Sequence, residues 1–383
     1  MSINLNDDQK MIQETATKIA QKELAPKAAQ RDIEGTFPKD GLQKLAEAGF
    51  LSMTVPKPMG GSGADNFSFV LATEAIARAC PSTALVFITH NIVARALAVA
   101  GNDEQKGRFL PAMIAGDRLG AFAATEPNSG SFPFAIATKA TPNGDEYAVN
   151  GTKIFITGAE EAEVYLVVLR LDKAKAPPEL SALFIEKEAP GFTFGKKEDC
   201  MGLRAASDGE LIFQDCRVPK ANLLGEENGY LAVMPKFAGL AMVGAAAISL
   251  GIAQAAVDAA VEHAKTREVA GQPIGQHQGV QYLIAETSTS LAAARALTYS
   301  AACQLDGPQP PSPLPLYMAK LHATEMAIEV AHKALQVHGG TGYSRELPLE
   351  RYYRDARGLT LHFTPSEMLK SMLGRMIMGM PPF

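Results

Sequence analysis

Along the first 118 residues, apolar positions recur every three or four places, the spacing of helices with one buried face. Met11, Ile12, Ile19, Ala20 and Leu24 fall on one such face, and Pro26 is expected to stop that run because proline cannot donate to the helical ladder. The same period predicts helices over 39–48, 67–79, 84–100 and 103–114. From about Leu119 to about Leu224 the period shortens to two. "AIATKAT", "EYAVN", "TKIFIT", "VYLVVLRL" and "SALFIEK" alternate as strands do, and Asn143-Gly144 and Asn150-Gly151 between them are expected to be turns of an antiparallel sheet. After Gly225 the helical period returns over roughly 225–265, 276–306, 313–338 and 365–378.

This outline divides the chain into an N-terminal helical domain over 1–118, a β domain over 119–224 and a C-terminal helical bundle over 225–383. No internal repeat or low-complexity tract interrupts it. "PKPMGGSGADN" at 56–66 has the Pro and Gly content of an ordered loop, without the spacing and Lys of a phosphate-cradling loop. The Pro-rich stretch at 307–315 reads as a connection between helices.

Composition narrows the function classes. A net charge of −5 and a pI near 5.9 give no electrostatic reason to expect nucleic acid or an anionic membrane as partner, which makes a small molecule the default ligand. Cys80, Cys200, Cys216 and Cys303 are scattered without a CxxC, as suits a reducing cytoplasm. The start, "MSINLNDDQK", has neither the basic residues nor the apolar run of an export signal. Residues 237–257 are uncharged and long enough to imitate a membrane span. Ala and Gly dominate them, however, so a buried helix with close neighbours is the expected outcome and no membrane span is assigned.

Three stretches, in order along the chain, resemble the acyl-CoA dehydrogenase family: "FAATEPNSGS" at 122–131, "NGTKIFIT" at 150–157 and "LQVHGGTGYSRELPLERYYRDAR" at 335–357. Each alone has a plain reading as turn chemistry; together, in the family's order, they are specific. The resemblance implies a mainly α fold with an N-terminal helical domain, a middle antiparallel β-barrel and a C-terminal four-helix bundle. It implies FAD as cofactor, an acyl thioester of CoA or a carrier protein as substrate, and an electron-transfer flavoprotein as a candidate partner. It also assigns residues. Phe122, Ala124 and Thr125 would approach the isoalloxazine ring, Phe155 would lie against it, and Thr157 would bond near its reactive nitrogen. Ser131 would touch cofactor and substrate. Arg267 would meet the FAD pyrophosphate of a neighbouring subunit, a task suited to a guanidinium fork. Gln336, Gly339 and Gly340 would let another subunit's backbone approach the dinucleotide, which implies a homotetramer or homodimer, or a hetero-oligomer. Val269-Ala270 stand where the family usually has Gln-Phe.

Neither of the family's positions for its base carries a carboxylate in this chain. Family members remove an α-proton with a glutamate while a hydride leaves the β-carbon, and the family pattern places that glutamate at Phe363, with Tyr at His362 and Thr at Pro365. No carboxylate lies between Asp355 and Glu367, and none lies over 228–257, where some relatives keep theirs. The Asp and Arg expected near 238–242 are missing too, and Phe132 replaces an Asp. His362 and His90 are weak substitutes: His362 is expected to be structural and His90 a satisfied polar residue. Glu367 is expected to be N3 of a capping box begun by Thr364, compatible with an FAD contact. Three functions remain open. The first is a flavoenzyme with altered thioester chemistry, reduction or elimination; the second is a non-catalytic subunit sharing an FAD site; the third is an ordinary dehydrogenase with an unrecognised base.

Overall fold

The computed structural model describes residues 4–130, 135–171, 179–307 and 312–382. Six helices open the chain: α1 (Asp7–Ile19), α2 (Ala25–Glu34), α3 (Lys39–Glu47), α4 (Asn66–Ala79), α5 (Pro81–Ala100) and α6 (Asp103–Ala115). Asn6 starts α1 with a reciprocal cap, its side chain accepting from the Gln9 amide at 2.9 Å while Gln9 Oε1 accepts from the Asn6 amide at 3.1 Å. Pro26 does not stop the run. A π-helical turn over Ala20–Leu24 shifts the hydrogen-bond register, and Pro26 then sits in the first turn of α2, where a missing donor costs little. Ala16, Ala20 and Leu24 form the buried stripe, whereas Met11 is 59% exposed and lies off it.

Seven strands follow: β1 (Gly120–Ala123), β2 (Lys139–Asn143), β3 (Glu146–Ile156), β4 (Val164–Leu171), β5 (Ser181–Glu186), β6 (Phe192–Lys197) and β7 (Gly209–Pro219). They form one sheet in the order β1-β4-β2-β3-β7-β6, with β5 also paired to β4. The sheet is mixed, correcting the antiparallel expectation: β1 and β2 both run parallel to β4. Asn143-Gly144 does turn the chain from β2 into β3, with Gly144 at φ 58°. Asn150-Gly151 does not turn it. These residues sit within β3 at a bulge against β7, where the extra residue leaves Gly151 so close to its neighbour that a Cβ would lie 2.4 Å from Thr138 Oγ1. The "AIATKAT" strand forms only from Lys139 onward.

The C-terminal third comprises α7 (Tyr230–Val233), α8 (Pro235–Thr266), the small hairpin β8 (Glu268–Val269) and β9 (Gln272–Pro273), α9 (Gln278–Leu305), α10 (Pro313–Tyr343), α11 (Leu349–Leu359) and α12 (Ser366–Ile377). α8 is the central rod, in contact with α10, α4, α5 and α9. Its Ala-rich surface lets these helices, and α11, crowd around it. Among the described residues two helices, α5 and α8, are long and apolar enough to cross a membrane, but 83% and 94% of their apolar windows are buried inside the protein. They are core helices, and α5 is a second imitator beside the one the sequence singled out. α11 ties the three parts together: Arg354 donates to Asp32 of α2 at 2.6 and 3.0 Å and to the Met201 carbonyl at 2.8 Å, while Asp355 accepts from the Leu203 amide at 2.6 Å.

Candidate functional site

The segment after β1 is strapped along β3. Ile154 donates its amide to the Thr125 carbonyl at 3.0 Å, and Lys153 donates to the Ala124 carbonyl at 3.0 Å. Lys153 also pairs with Glu126 at 2.8 Å, both side chains less than 5% exposed. Glu126 further accepts the amides of Ala137 and Thr138, so its carboxylate is fully used. Burial pushes the Lys153 ammonium down to about 8, where it is still charged near neutral pH. Burial acts on Glu126 in the opposite sense, but Lys153 beside it, with the bonds from Thr138 and Ala137, more than reverses that and holds the carboxyl below its ordinary value. Sequence reasoning took Thr-Glu-Pro for flavin contact or turn chemistry and missed this pair. Its one signal was a Lys in a β-strand beside an isolated buried Glu.

With the strap in place, Phe122, Ala124 and Thr125, all half-buried, lie beside the end of β3 that carries Phe155 and Thr157. Phe155 is 54% exposed and has φ 54°, a left-handed backbone that a bulky residue adopts only when its surroundings impose it. An aromatic ring is thus held outward at a strained position, with no core function to explain it. Thr157 is buried at 8% exposure. Ser131 lies outside the described residues.

Past Thr157, Gly158 and Ala159 donate their amides to the carbonyls of Ala206 and Ser207 at 2.9 and 3.2 Å. The next residue, Asp208, faces His362 across the boundary between the β and helical parts, Oδ2 to Nε2 at 3.7 Å. His362 Nδ1 lies 2.8 Å from the Gly358 carbonyl. Phe363 follows at φ 61°, half-buried against the core. Lys320 of α10, fully buried, donates to the Thr364 carbonyl at 2.7 Å, and burial pushes its ammonium down to about 8. The turn bearing the expected base position is therefore fastened by Lys320, which the sequence reading did not connect to it, and by His362, which it expected to be structural.

Two other candidates take different roles. His90 is fully buried; its Nδ1 accepts from the Gly120 amide at 3.1 Å and its Nε2 donates to the Leu51 carbonyl at 3.1 Å. Neither nitrogen is left for a substrate proton. Glu367 does not close a capping box. α12 begins at Ser366 with Pro365 in the cap position and no side-chain cap bond, because the Thr364 amide is spent inside the turn on His362 and its carbonyl on Lys320. The Glu367 side chain is 81% exposed and 4.0 Å from Lys370.

The remaining residues form a second, exposed group. Arg267 ends α8, and its guanidinium makes no hydrogen bond or ion pair among the described residues. Gln336 and Gly340 are exposed on α10, and Gly339 breaks that helix at φ 59°, ψ −141°, with no atom within 4 Å of where its Cβ would be. His263 of α8 and His338 of α10 stack at 4.3 Å and join the two helices there. An unpaired guanidinium beside open backbone suits an anionic dinucleotide approaching from another chain, and an outward aromatic on a strained strand end suits a flat ring system. The residues present fit FAD.

Comparison with known proteins agrees with this geometry. The acyl-CoA dehydrogenase N-terminal, middle and C-terminal domain profiles match residues 6–117, 121–216 and 228–378. The chain is 40% identical to an acryloyl-CoA reductase (NADH) of Anaerotignum propionicum, covering 99% of this chain and 96% of that protein. It is 37% identical to a 3-(aryl)acrylate reductase of Clostridium sporogenes, over 96% and 97% of the two chains. The butyryl-CoA dehydrogenase structure from Megasphaera elsdenii superposes with a TM-score of 0.94 at 35% identity, covering 99% of this chain and all of that one. Three domain matches in sequence order, on the family's fold, place the chain in the acyl-CoA dehydrogenase family, as an FAD-binding oxidoreductase acting on the CH–CH bond of an acyl thioester.

Proposed function

We propose that this member works in the reductive direction, on an α,β-unsaturated acyl thioester. The observation that carries the reading is the absence of a carboxylate between Asp355 and Glu367 and over 228–257, with Phe363 where the family pattern puts the base. Removing a proton from a weakly acidic α-carbon needs a placed base, typically about 10²–10⁴ in rate. A carbanion at that carbon is itself a strong base and takes its proton from water. When bound, FAD supplies two-electron hydride chemistry at the β-carbon. Phe363 keeps the α-side of the thioester apolar, and the strap at Thr125 and the Phe155–Thr157 strand end orient the ring and its substrate. Arg267, Gln336, Gly339 and Gly340 serve the dinucleotide of a partner copy, making a homodimer or homotetramer the working unit, in the cytoplasm. Exposed Tyr282, Tyr343 and Val269 in the same helical region support a covered surface. Electrons come from outside the chain, with an electron-transfer flavoprotein as the candidate donor. Two relatives that are reductases support the direction.

The test is anaerobic mixing of chemically reduced holoprotein with a panel of 2-enoyl thioesters on CoA and on a carrier protein. Oxidised flavin absorbance should return with an enoyl substrate, and saturated acyl-CoAs should leave oxidised protein coloured. Fast bleaching by a saturated acyl-CoA without reoxidation by any enoyl thioester overturns the direction. Inertness to both favours the non-catalytic subunit instead.

A further inference from the structure

Phe363 has a left-handed backbone at φ 61°, so the turn between α11 and α12 must be held by its neighbours. Inside the turn, the Thr364 amide bonds the His362 carbonyl at 2.9 Å and the Ser366 amide bonds the Thr360 carbonyl at 3.0 Å. From outside, Lys320 holds the Thr364 carbonyl, and His362 is the single side chain of the turn reaching the β part among the contacts described. Both of its nitrogens face acceptors. The Gly358 carbonyl can only accept, so Nδ1 carries a proton; Nε2 faces the Asp208 carboxylate, and only a protonated Nε2 suits that neighbour. Neutral imidazole would turn a lone pair toward the carboxylate. Asp208 is 6% exposed, and its Oδ1 is buried without a partner, which leaves His362 as its counter-charge. Asp208 directly follows Ala206 and Ser207, the residues that grip Gly158 and Ala159 beyond Thr157.

We propose that His362 is a positioning residue: as an imidazolium paired with Asp208 it latches the Phe363 turn onto the Thr157 end of β3, and so sets the shape of the thioester site. The inference rests on this being the flavin and thioester site, not on the direction of reaction. Among the described residues, the charged and titratable groups around His362 are Asp208 of the β part, Cys200 with its Sγ 3.9 Å from Asp208 Oδ2, and Lys320 of α10. Burial and Lys320 oppose the imidazolium; Asp208 outweighs them and, with Gly358, raises its pKa above the ordinary 6.5. The latch is therefore complete below 6.5 and is lost as pH rises through the higher folded value.

Amide exchange of the peptide spanning residues 359–369 in the FAD-loaded protein, corrected for intrinsic rate, reads the latch between about pH 6 and about pH 9. Protection should fall as pH rises, along a one-proton transition, while α9 peptides stay level. In Asp208→Asn the transition should move to lower pH, and in His362→Gln it should vanish. The Kd of a saturated acyl-CoA, read from the perturbed flavin spectrum, should weaken along the same curve in the wild type. A wild-type peptide with no transition, or a His362→Gln protein that keeps it, overturns the latch. A Kd that stays level while protection falls, or no acyl-CoA binding at any pH, overturns its role at the site. If His362→Gln fails to fold, near-isosteric Asp208→Asn decides, because an unshifted transition there removes Asp208 as the cause. None of these readouts needs turnover, so failure of the reductive reading would appear separately, as enoyl thioesters that leave reduced flavin unchanged.

Discussion

Phe363 makes one substitution especially informative. With the turn held by Lys320 and His362, Phe363→Glu should place a carboxylate where the family keeps its base. The half-buried, apolar surroundings would raise its pKa, strengthening it as a base up to the point where it stays protonated. Flavin reduction by a saturated acyl-CoA should rise by roughly tenfold to a thousandfold, measured at saturating ligand with bound FAD checked in both proteins. A variant that binds both and reduces no faster would show that Phe363 is not at the base position. Lys153 offers a test of the strap. Lys153→Met leaves Glu126 buried and unpaired, which should cost about 3–5 kcal/mol of stability in denaturant unfolding. Adding Glu126→Gln should recover part of that loss, since an amide in the same place carries no orphaned charge. Equal stability of the wild type and the single variant would remove the pair from the account of how the strap is held.

At the scale of elements, the junction of α8 with the β8–β9 hairpin presents Arg267 outward, free of partners among the described residues. A charged hydrogen bond to a phosphate is worth about 1.5–3 kcal/mol. Arg267→Ala should therefore raise the FAD dissociation constant by roughly ten- to a hundredfold, with little change in the unfolding of the apoprotein. Unchanged affinity in a fluorescence titration would place Arg267 outside the site. The broken helix α10 belongs to the same group: a residue with φ 59° and ψ −141° inside a 31-residue helix interrupts its ladder, and glycine accepts this at no steric cost. The sequence pattern made that helix end near 338, whereas the helix resumes and continues to Tyr343.

Across the whole molecule, helices from both ends of the chain and the mixed sheet share one core, and His90 lies within it, neutral and doubly bonded to backbone. Burial pushes its pKa down to about 4 from 6.5. Between those values the unfolded chain binds a proton that the folded protein refuses, so stability is full above 6.5 and falls as pH drops toward 4. The loss should reach roughly 3 kcal/mol at the acid end. His90→Gln, whose amide can accept from Gly120 and donate to Leu51, should flatten that acid limb in chemical unfolding at several pH values. An acid limb as steep as the wild type's would mean that other groups set it.

The sequence by itself determined which segments are helical and which extended, because 3.6 and 2 are periods that neighbouring residues carry among themselves. It also determined the family, through three motifs in order, and the absence of a carboxylate over 356–366 and 228–257, which needs no coordinates. Tertiary structure decided everything that depends on distant partners. The continuation of helix past Pro26, the bulge at Gly151 and the parallel pairing of β1 and β2 with β4 each follow from a neighbour that local pattern does not specify. Glu367 lost its capping box because the backbone of the turn before it is fixed by Lys320 from another helix. Lys153 found Glu126, and His362 found Asp208, only when the fold removed water from around each charge and left one counter-charge in reach. Periodicity records which face of an element is dry; it does not record which buried charge will meet which.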